Sequence, residues 1–332
     1  MEMEVNSREE CLLKTQRLTL GYKNREQPNI LFENLNLSLF AGELVCFMGS
    51  NGVGKSTLIR TLAGLQKPLG GEISIPDKAD VAIVLTDRIS SLNMSVYDLV
   101  AFGRYPYLDW RIQLSEEDKN IINRAITLVH INYLENKKLY ELSDGQMQMV
   151  MIARALAQET PILLLDEPTA HLDLNNRVEI MNILRRLSRT TQKAILIATH
   201  ELDLALQTAD LLWLATSDKA IHTGIPEDLV LNGSLDNIFQ FKGFDLKTGK
   251  VDHESHRGIS IQLHGEGFEF LWTKNALERS GYEIETSAPI SIQILSAEKK
   301  IIWQLEKQNQ TTSYSSIEEL LKGLLTLNAL HA

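Results

Sequence analysis

Gly49-Ser50-Asn51-Gly52-Val53-Gly54-Lys55-Ser56-Thr57 decides how this chain is read. The stretch fits G-x-x-x-x-G-K-[ST], the spacing of a phosphate-binding loop. Glu43-Leu44-Val45-Cys46-Phe47-Met48 runs into it with the length and apolarity of a buried strand. Behind it Leu58, Ile59, Leu62, Ala63 and Leu65 recur at helical spacing. Strand, glycine loop and helix in that order give the motif its proper setting, which an unliganded glycine-rich turn does not require. Glycines let the backbone curl its N–H groups inward, and with the helix N-terminus those groups form an anion cradle. Lys55 supplies a mobile cation for the outer phosphates, and the Ser56 hydroxyl can ligate Mg²⁺. A nucleoside triphosphate site is expected.

Working outward, 332 residues predict one large domain and a smaller one. The composition, 44% hydrophobic and 23% charged, supports a proper core. A net charge of −10 argues against a nonspecific nucleic-acid binder, which carries a basic face. Two cysteines, Cys11 and Cys46, form no disulfide framework and suit a reducing compartment. No stretch approaches the ~18 apolar residues needed to span a bilayer. The acidic start Met1-Glu2-Met3-Glu4 is unlike a signal peptide. Work at a membrane is therefore expected to need recruitment by a partner.

Residues 11–40 alternate apolar and polar on either side of the turn 23–29, which predicts antiparallel strands. Tyr22, at a strand end, is either a half-buried strand residue or a ligand contact. Short strands are expected at Glu72–Ile75 and Val81–Leu85, followed by helical periodicity from 94 to 160. Ile162–Leu165 and Ala194–Ala198 look like central parallel strands, with a helix through Val178, Ile180, Met181, Leu184 and Leu187 between them. Strand–helix alternation around a phosphate loop predicts an α/β fold with a mostly parallel sheet and ligands at the strands' carboxyl ends. From about 241 the character changes. A hairpin over Phe244–Val251, strands at Ile259–Leu263, Ile290–Leu295 and Ile301–Leu305, and helices at Thr273–Arg279 and Ile317–Leu327 predict a small α+β domain.

Two carboxylates, Asp166 and Glu167, stand at the mouth of the strand Ile162–Leu165. An Asp-Glu pair is common in solvated turns, but ending a buried strand downstream of a phosphate loop gives it a task. Asp166 is expected to hold Mg²⁺ opposite Ser56, and Glu167 to polarise a water aimed at the γ-phosphate. A lone histidine is more often structural than catalytic. His200, however, emerges at the same sheet edge and is expected to reach that phosphate. Leu142-Ser143-Asp144-Gly145-Gln146 opens an amphipathic helix. Ser143 with Gln146 three residues on reads as a capping box, and the same exposed N–H groups also suit an anion, so both readings stand.

Taken together, these residues resemble the nucleotide-binding subunit of ATP-binding cassette (ABC) transporters over roughly 12–240, leaving 241–332 as a C-terminal domain of unassigned role. Gly49 to Thr57, hence Gly49, Ser50, Asn51, Gly52, Val53, Gly54, Lys55, Ser56 and Thr57, looks like Walker A. Ile162–Glu167 looks like Walker B. Leu142–Gln146 resembles the LSGGQ signature, Ala170-His171-Leu172-Asp173 the D-loop, and His200 the switch histidine. Tyr22 falls where the family stacks an aromatic on adenine. The resemblance implies a P-loop ABC-type fold with antiparallel and helical subdomains, an ATPase with ATP and Mg²⁺, and Glu167 and His200 at the reacting phosphate. It also implies a head-to-tail dimer, each ATP lying between one copy's Walker A and the other's Ser143, Gly145 and Gln146, with the D-loop Asp173 alongside. Asp144 stands where the family usually has Gly; a carboxylate there repels a γ-phosphate unless it points away. The Q-loop glutamine is replaced by Thr86 or Asp87, either of which can offer an oxygen near the metal.

Ser95–Tyr107, ending Gly103-Arg104-Tyr105-Pro106, resembles the helical-region motif of ATPases for iron–siderophore, haem and cobalamin importers, although an ordinary amphipathic helix closed by a turn also fits. The implied partners are membrane permease subunits and, through them, a substrate-binding protein. The implied place is the cytoplasmic face of the membrane. Tyr105, Tyr107 and Trp110 are candidate anchors for a permease. The alternative is a soluble ABC ATPase acting on DNA or ribosomes. The single cassette and the lack of heptads between the phosphate loop and Ser143 count against it.

Overall fold

The computed structural model describes residues 10–23, 27–77, 80–85, 93–239, 244–245, 250–251, 257–297, 300–308 and 310–329. The chain divides into two compact units, Met1–Gln240 and Phe241–Ala332.

In the first unit β1 (Cys11–Tyr22), β2 (Asn29–Leu35) and β3 (Ser38–Phe40) form an antiparallel sheet, joined by β5 (Gly70–Ser74) along β1. β4 (Leu44–Met48) leads into α1 (Lys55–Leu62). With β6 (Val81–Val84), the helices α2 (Val96–Ala101), α3 (Glu116–Leu128) and α4 (Asp144–Leu156), and β7 (Ile162–Asp166), the chain reaches α5 (Leu174–Thr191), β8 (Ala194–Ala198) and α6 (Leu202–Thr208). β9 (Leu211–Ala215), β10 (Ile221–Gly224), α7 (Pro226–Leu231) and α8 (Ser234–Phe239) complete the unit.

The main sheet runs β10-β9-β4-β8-β7-β6, parallel throughout except for β10, which returns beside β9. Every residue of β4, β7 and β8 is buried. Unbroken apolar runs suit strands covered on both faces, since each fully buried Leu or Ile adds roughly 1.5–3 kcal/mol. One core joins the two sheets: Leu58, Ile59 and Leu62 of α1 pack with Leu20, Phe32, Phe47, Leu164 and Leu196. The ends of β4, β7 and β8 are thereby fixed at one edge.

The helical periodicity resolves into three helices separated by 3₁₀ turns. Ser95 and Ser115 each accept from the backbone N–H three residues on, while Asp98 and Asp118 reach back, making reciprocal caps worth about 1 kcal/mol each. Phe102–Tyr107 is a 3₁₀ turn, and Gly103 lets it approach α4 so closely that a Cβ there would sit 2.3 Å from the Arg154 carbonyl. Arg104 turns inward and is 6% exposed. It donates to Asp118 Oδ1 at 2.8 Å, to the Ala157 carbonyl at 2.9 Å and to Glu159 Oε2 at 3.1 Å.

The second unit opens with the short pair β11 (Phe244–Asp245) and β12 (Lys250–Val251). β13 (Ser260–His264), α9 (Gly267–Arg279), β14 (Glu283–Ile284), β15 (Ile290–Ala297), β16 (Lys300–Lys307), β17 (Gln310–Tyr314) and α10 (Ile317–Ala329) follow. The sheet order is β14-β13-β15-β16-β17, with β13 parallel to both neighbours and the rest antiparallel. Leu277, Leu320 and Leu324 of the two helices share a core with Ile261, Ile292 and Leu305. Within it the Trp303 indole N–H is satisfied by the Thr273 hydroxyl at 2.8 Å. α9 begins well before the periodic stretch that predicts it, because its first turns carry exposed Phe268 and Trp272 instead of an apolar stripe. No helix among the described residues is long and apolar enough to cross a membrane.

Candidate functional site

The phosphate loop joins β4 to α1. Gly54 precedes the helix with φ of 112°, a left-handed value closed to most side chains, and offers the helix no side-chain cap. α2, α3, α4 and α5 each begin under a Ser or Asp cap. α6 and α7 also lack a side-chain cap, so what marks α1 is the glycine loop ahead of it, beside which a helix N-terminus favours an anion. Gly49 is needed for closeness: a Cβ there would stand 2.7 Å from that of Ala215.

Lys55, 7% exposed, folds its ammonium onto the loop's own carbonyls, Gly49 at 3.0 Å and Ser50 at 3.5 Å. It also lies 3.8 Å from Glu167 Oε1. Ser56, the second helical residue, is exposed. Asp166 ends β7 and is 2% exposed. Glu167 follows with φ of 50°, a left-handed conformation that a non-glycine residue adopts at a cost of roughly 1–2 kcal/mol. Its N–H is tied to the Ala198 carbonyl at 2.9 Å, so the turn is held between β7 and β8. His200, just past β8, places Nδ1 2.6 Å from Glu167 Oε2. A cation, a carboxylate and an imidazole therefore converge at the carboxyl ends of the three central strands. Tyr22 reaches the same loop from β1. Its hydroxyl lies 2.7 Å from Thr57 Oγ1 and its ring is half exposed, so it is both anchored and open to a ligand.

A second gathering surrounds the start of α4. Ser143 accepts from the Gln146 N–H at 3.3 Å, and Gln146 Oε1 accepts from the Ser143 N–H at 3.1 Å. The capping box is therefore formed, and Asp144 is exposed. Gly145 is buried beneath Asn176, whose side chain would stand 2.9 Å from an added Cβ. Asn176 in turn donates to Asp173 through its backbone N–H and its amide, both at 2.9 Å. Asp173 thus caps α5 while Asn176 links the turn 170–173 to the start of α4. Thr86 and Asp87 lie outside the described residues.

Sequence reasoning overlooks Asn176, Arg177 and Glu201. Arg177 Nη1 donates to Glu201 Oε1 at 2.7 Å, and its Nε to the Leu172 carbonyl at 2.6 Å. The available signal was slight: an acid directly after His200 and an arginine in the first turn of α5. On the helical region's surface Tyr105 and Tyr107 are each 51% exposed and Trp110 is 83% exposed.

Comparison with known proteins gives two family matches: ABC transporter over residues 32–170, and iron ABC transporter C-terminal domain over residues 258–325. An uncharacterized ABC transporter ATP-binding protein of Methanocaldococcus jannaschii is 38% identical, the match covering 73% of this chain and 89% of the relative. A petrobactin import ATP-binding protein of Bacillus anthracis is 37% identical, over 69% of this chain and 87% of its own. Among solved structures, a candidate metal-chelate type ABC transporter in an inward-facing conformation superposes with a TM-score of 0.63 at 27% identity. That match covers 69% of this chain and 89% of the other.

Proposed function

The chain belongs to the ATP-binding proteins of ABC transporters, and from that premise we propose that it hydrolyses ATP to energise import of an iron–siderophore complex. The observation that carries the catalytic half is the convergence of Lys55, Glu167 and His200 beside the uncapped start of α1. The match of residues 258–325 to an iron transporter domain and the petrobactin relative support the cargo class.

In this reading Lys55 exchanges the Gly49 and Ser50 carbonyls for the outer phosphates of ATP, a stronger, charge-assisted bond. Glu167 Oε1 accepts the proton of the attacking water as the γ-phosphoryl group leaves ADP. His200, already in contact with Glu167, orients that carboxylate and stands ready to donate to the phosphate oxygens. Tyr22 offers its exposed ring to the adenine while its hydroxyl stays on Thr57. Ser56 and Asp166 are the residues that would hold Mg²⁺. One hydroxyl and one carboxylate are the sparse donor set that Mg²⁺ accepts when phosphate oxygens complete its shell. When bound, the ion neutralises charge on the β- and γ-phosphates.

Ser143, Gly145 and Gln146 can finish the nucleotide site of a second copy, giving a head-to-tail dimer with Asp173 of each chain beside the other's loop. Tyr105, Tyr107 and Trp110 offer exposed aromatic anchors to a membrane permease, and a substrate-binding protein would deliver cargo from the far side. The protein would then work at the cytoplasmic face of the membrane.

Exchange of Glu167 for Gln tests the core of this reading. ATP affinity is expected to persist, turnover to vanish and a nucleotide-bound dimer to accumulate in light scattering. Hydrolysis at the parental rate would remove Glu167 from its role. For the cargo, the protein co-purified with its permease should drive ATP-dependent uptake of a ferric siderophore into vesicles. Absence of uptake by an ATPase-active complex would reject that substrate class.

A further inference from the structure

His200 sits between two carboxylates. Its Nδ1 is 2.6 Å from Glu167 Oε2, and its Nε2 is 3.4 Å from Glu201 Oε1. That second oxygen is already engaged, since Arg177 Nη1 donates to it at 2.7 Å. The same guanidinium donates through Nε to the Leu172 carbonyl. Leu172 belongs to the turn 170–173, whose His171 has a φ of 64° and whose Asp173 caps α5. One planar fork therefore holds the backbone of that turn and the carboxylate beside the histidine at once. The rigid fork presents Nε and Nη1 to these two partners in a fixed geometry that a lysine ammonium does not reproduce.

We propose that Arg177 is a positioning residue for ATP hydrolysis: it outcompetes His200 for Glu201 and ties the turn 170–173 to that histidine. The inference rests on the assignment of Glu167 and His200 made above. Glu201 Oε1 has two donors within reach, and Arg177 is the nearer. The Glu201 side chain is only 17% exposed, so a carboxylate stripped of its guanidinium is costly to leave unpaired. The other group within reach of Glu201 Oε1 is His200 Nε2 at 3.4 Å, which donates to it when that nitrogen carries the proton. That contact draws His200 from Glu167 and from the place of the γ-phosphate. Arg177 does not touch the nucleotide in this scheme; it acts through Glu201. Because the fork also grips Leu172, displacement of the turn by a second copy is transmitted to Glu201 and so to His200.

The test compares ATP hydrolysis and nucleotide binding by the full chain carrying R177Q, E201Q, both together, or E167Q. R177Q is expected to lower kcat about tenfold, as small misplacements of a reacting group do. KM for ATP should stay within about twofold, since the loss falls on the reacting state and not on binding. Adding E201Q to R177Q should restore most of kcat, because it removes the carboxylate that captures His200. An arginine that merely holds the fold together predicts the reverse, a double variant no better than the single. If R177Q does not fold, Arg177→Met, which keeps the length of the stem, takes its place with the same expectation. Parental kcat in the arginine variant, or no recovery in the double, overturns the inference while E167Q remains inactive. Turnover by E167Q would instead overturn the assignment beneath it.

Discussion

The Nδ1 atom of His200 lies 2.6 Å from Oε2 of Glu167, across the gap between the ends of β8 and β7. Glu167 Oε1 faces Lys55 at 3.8 Å. The carboxylate is thus held from two sides, and its left-handed backbone fixes the side chain's origin. Such preorganisation lets a base meet a positioned water without reorganising first.

Replacing His200 with Ala leaves Glu167 without its imidazole partner and, under the proposed function, the phosphate without a donor. Turnover should fall roughly 10²-fold, the usual scale for losing a positioned acid–base group. Nucleotide affinity should change little, because Lys55 and the loop remain. Phosphate release and equilibrium nucleotide binding measure the two separately. A parental rate in this variant would mean that the contact is incidental.

Arg104 predicts a stability effect remote from the chemistry. Truncation to Ala leaves Asp118 Oδ1 and the Ala157 carbonyl without the Arg104 donor in a buried place, and the Tyr107 ring loses the guanidinium 4.3 Å from its centre. The expected loss is about 3 kcal/mol. Urea unfolding should show it as a lowered midpoint, while Lys recovers part of the loss. A midpoint within error of the parent would contradict the buried network.

Acid should loosen the same region. The Ser115 hydroxyl, and then Arg104, hold the Asp118 carboxyl below the usual carboxylate range. Its folded value is therefore lower than its unfolded one, ~3.9. The stabilisation is complete above that unfolded value and is lost as pH falls toward the depressed folded value. Asp98, hydrogen-bonded to Ser95, is shifted the same way. Circular dichroism between neutral pH and pH ~3 should show the Asp118→Asn variant less stable at neutrality with a shallower acid limb. An acid limb as steep as the parent's would assign the acid sensitivity elsewhere.

The cysteines offer a chemical readout of the core. Burial in β4, with the charge of Asp210 nearby, pushes the Cys46 thiol up to about 12. Only the thiolate reacts quickly, so Cys46 should resist a thiol reagent in the native protein. Cys11 is exposed. Native protein should therefore titrate through Cys11 alone, and Cys46 should appear only on unfolding. Rapid native reaction at Cys46, located by mass spectrometry, would show that β4 opens readily.

What was legible in the sequence was whatever lies close together along the chain. Gly49–Thr57, the runs Ile162–Leu165 and Ala194–Ala198, and the Ser143–Gln146 box each carry their physics within a few residues. Asp166, Glu167 and His200 could be placed because each stands at or just past the end of a buried strand. Arg177 and Glu201 could not. They are 24 positions apart, and nothing local tells an arginine on α5 that it will meet the residue three past β8. The burial of Arg104 was not legible either: its partners Asp118, Ala157 and Glu159 come from distant segments and pull it inside. In the second unit β13, β15, β16 and the two helices were visible from their periodicity, but β14 and β17 were not, and the parallel pairing of β13 with β15 depends on α9 crossing between them.

The bare start of α1 makes the protein's own firmness depend on its fuel. Where the neighbouring helices carry a serine or aspartate lid, this one leaves its opening amides for a guest to fasten. Saturation at a hundred times the dissociation constant should add about 2.7 kcal/mol of resistance to melting. A cell emptied of energy would thus hold a softer cassette than a well-fed one, before a single turnover is counted.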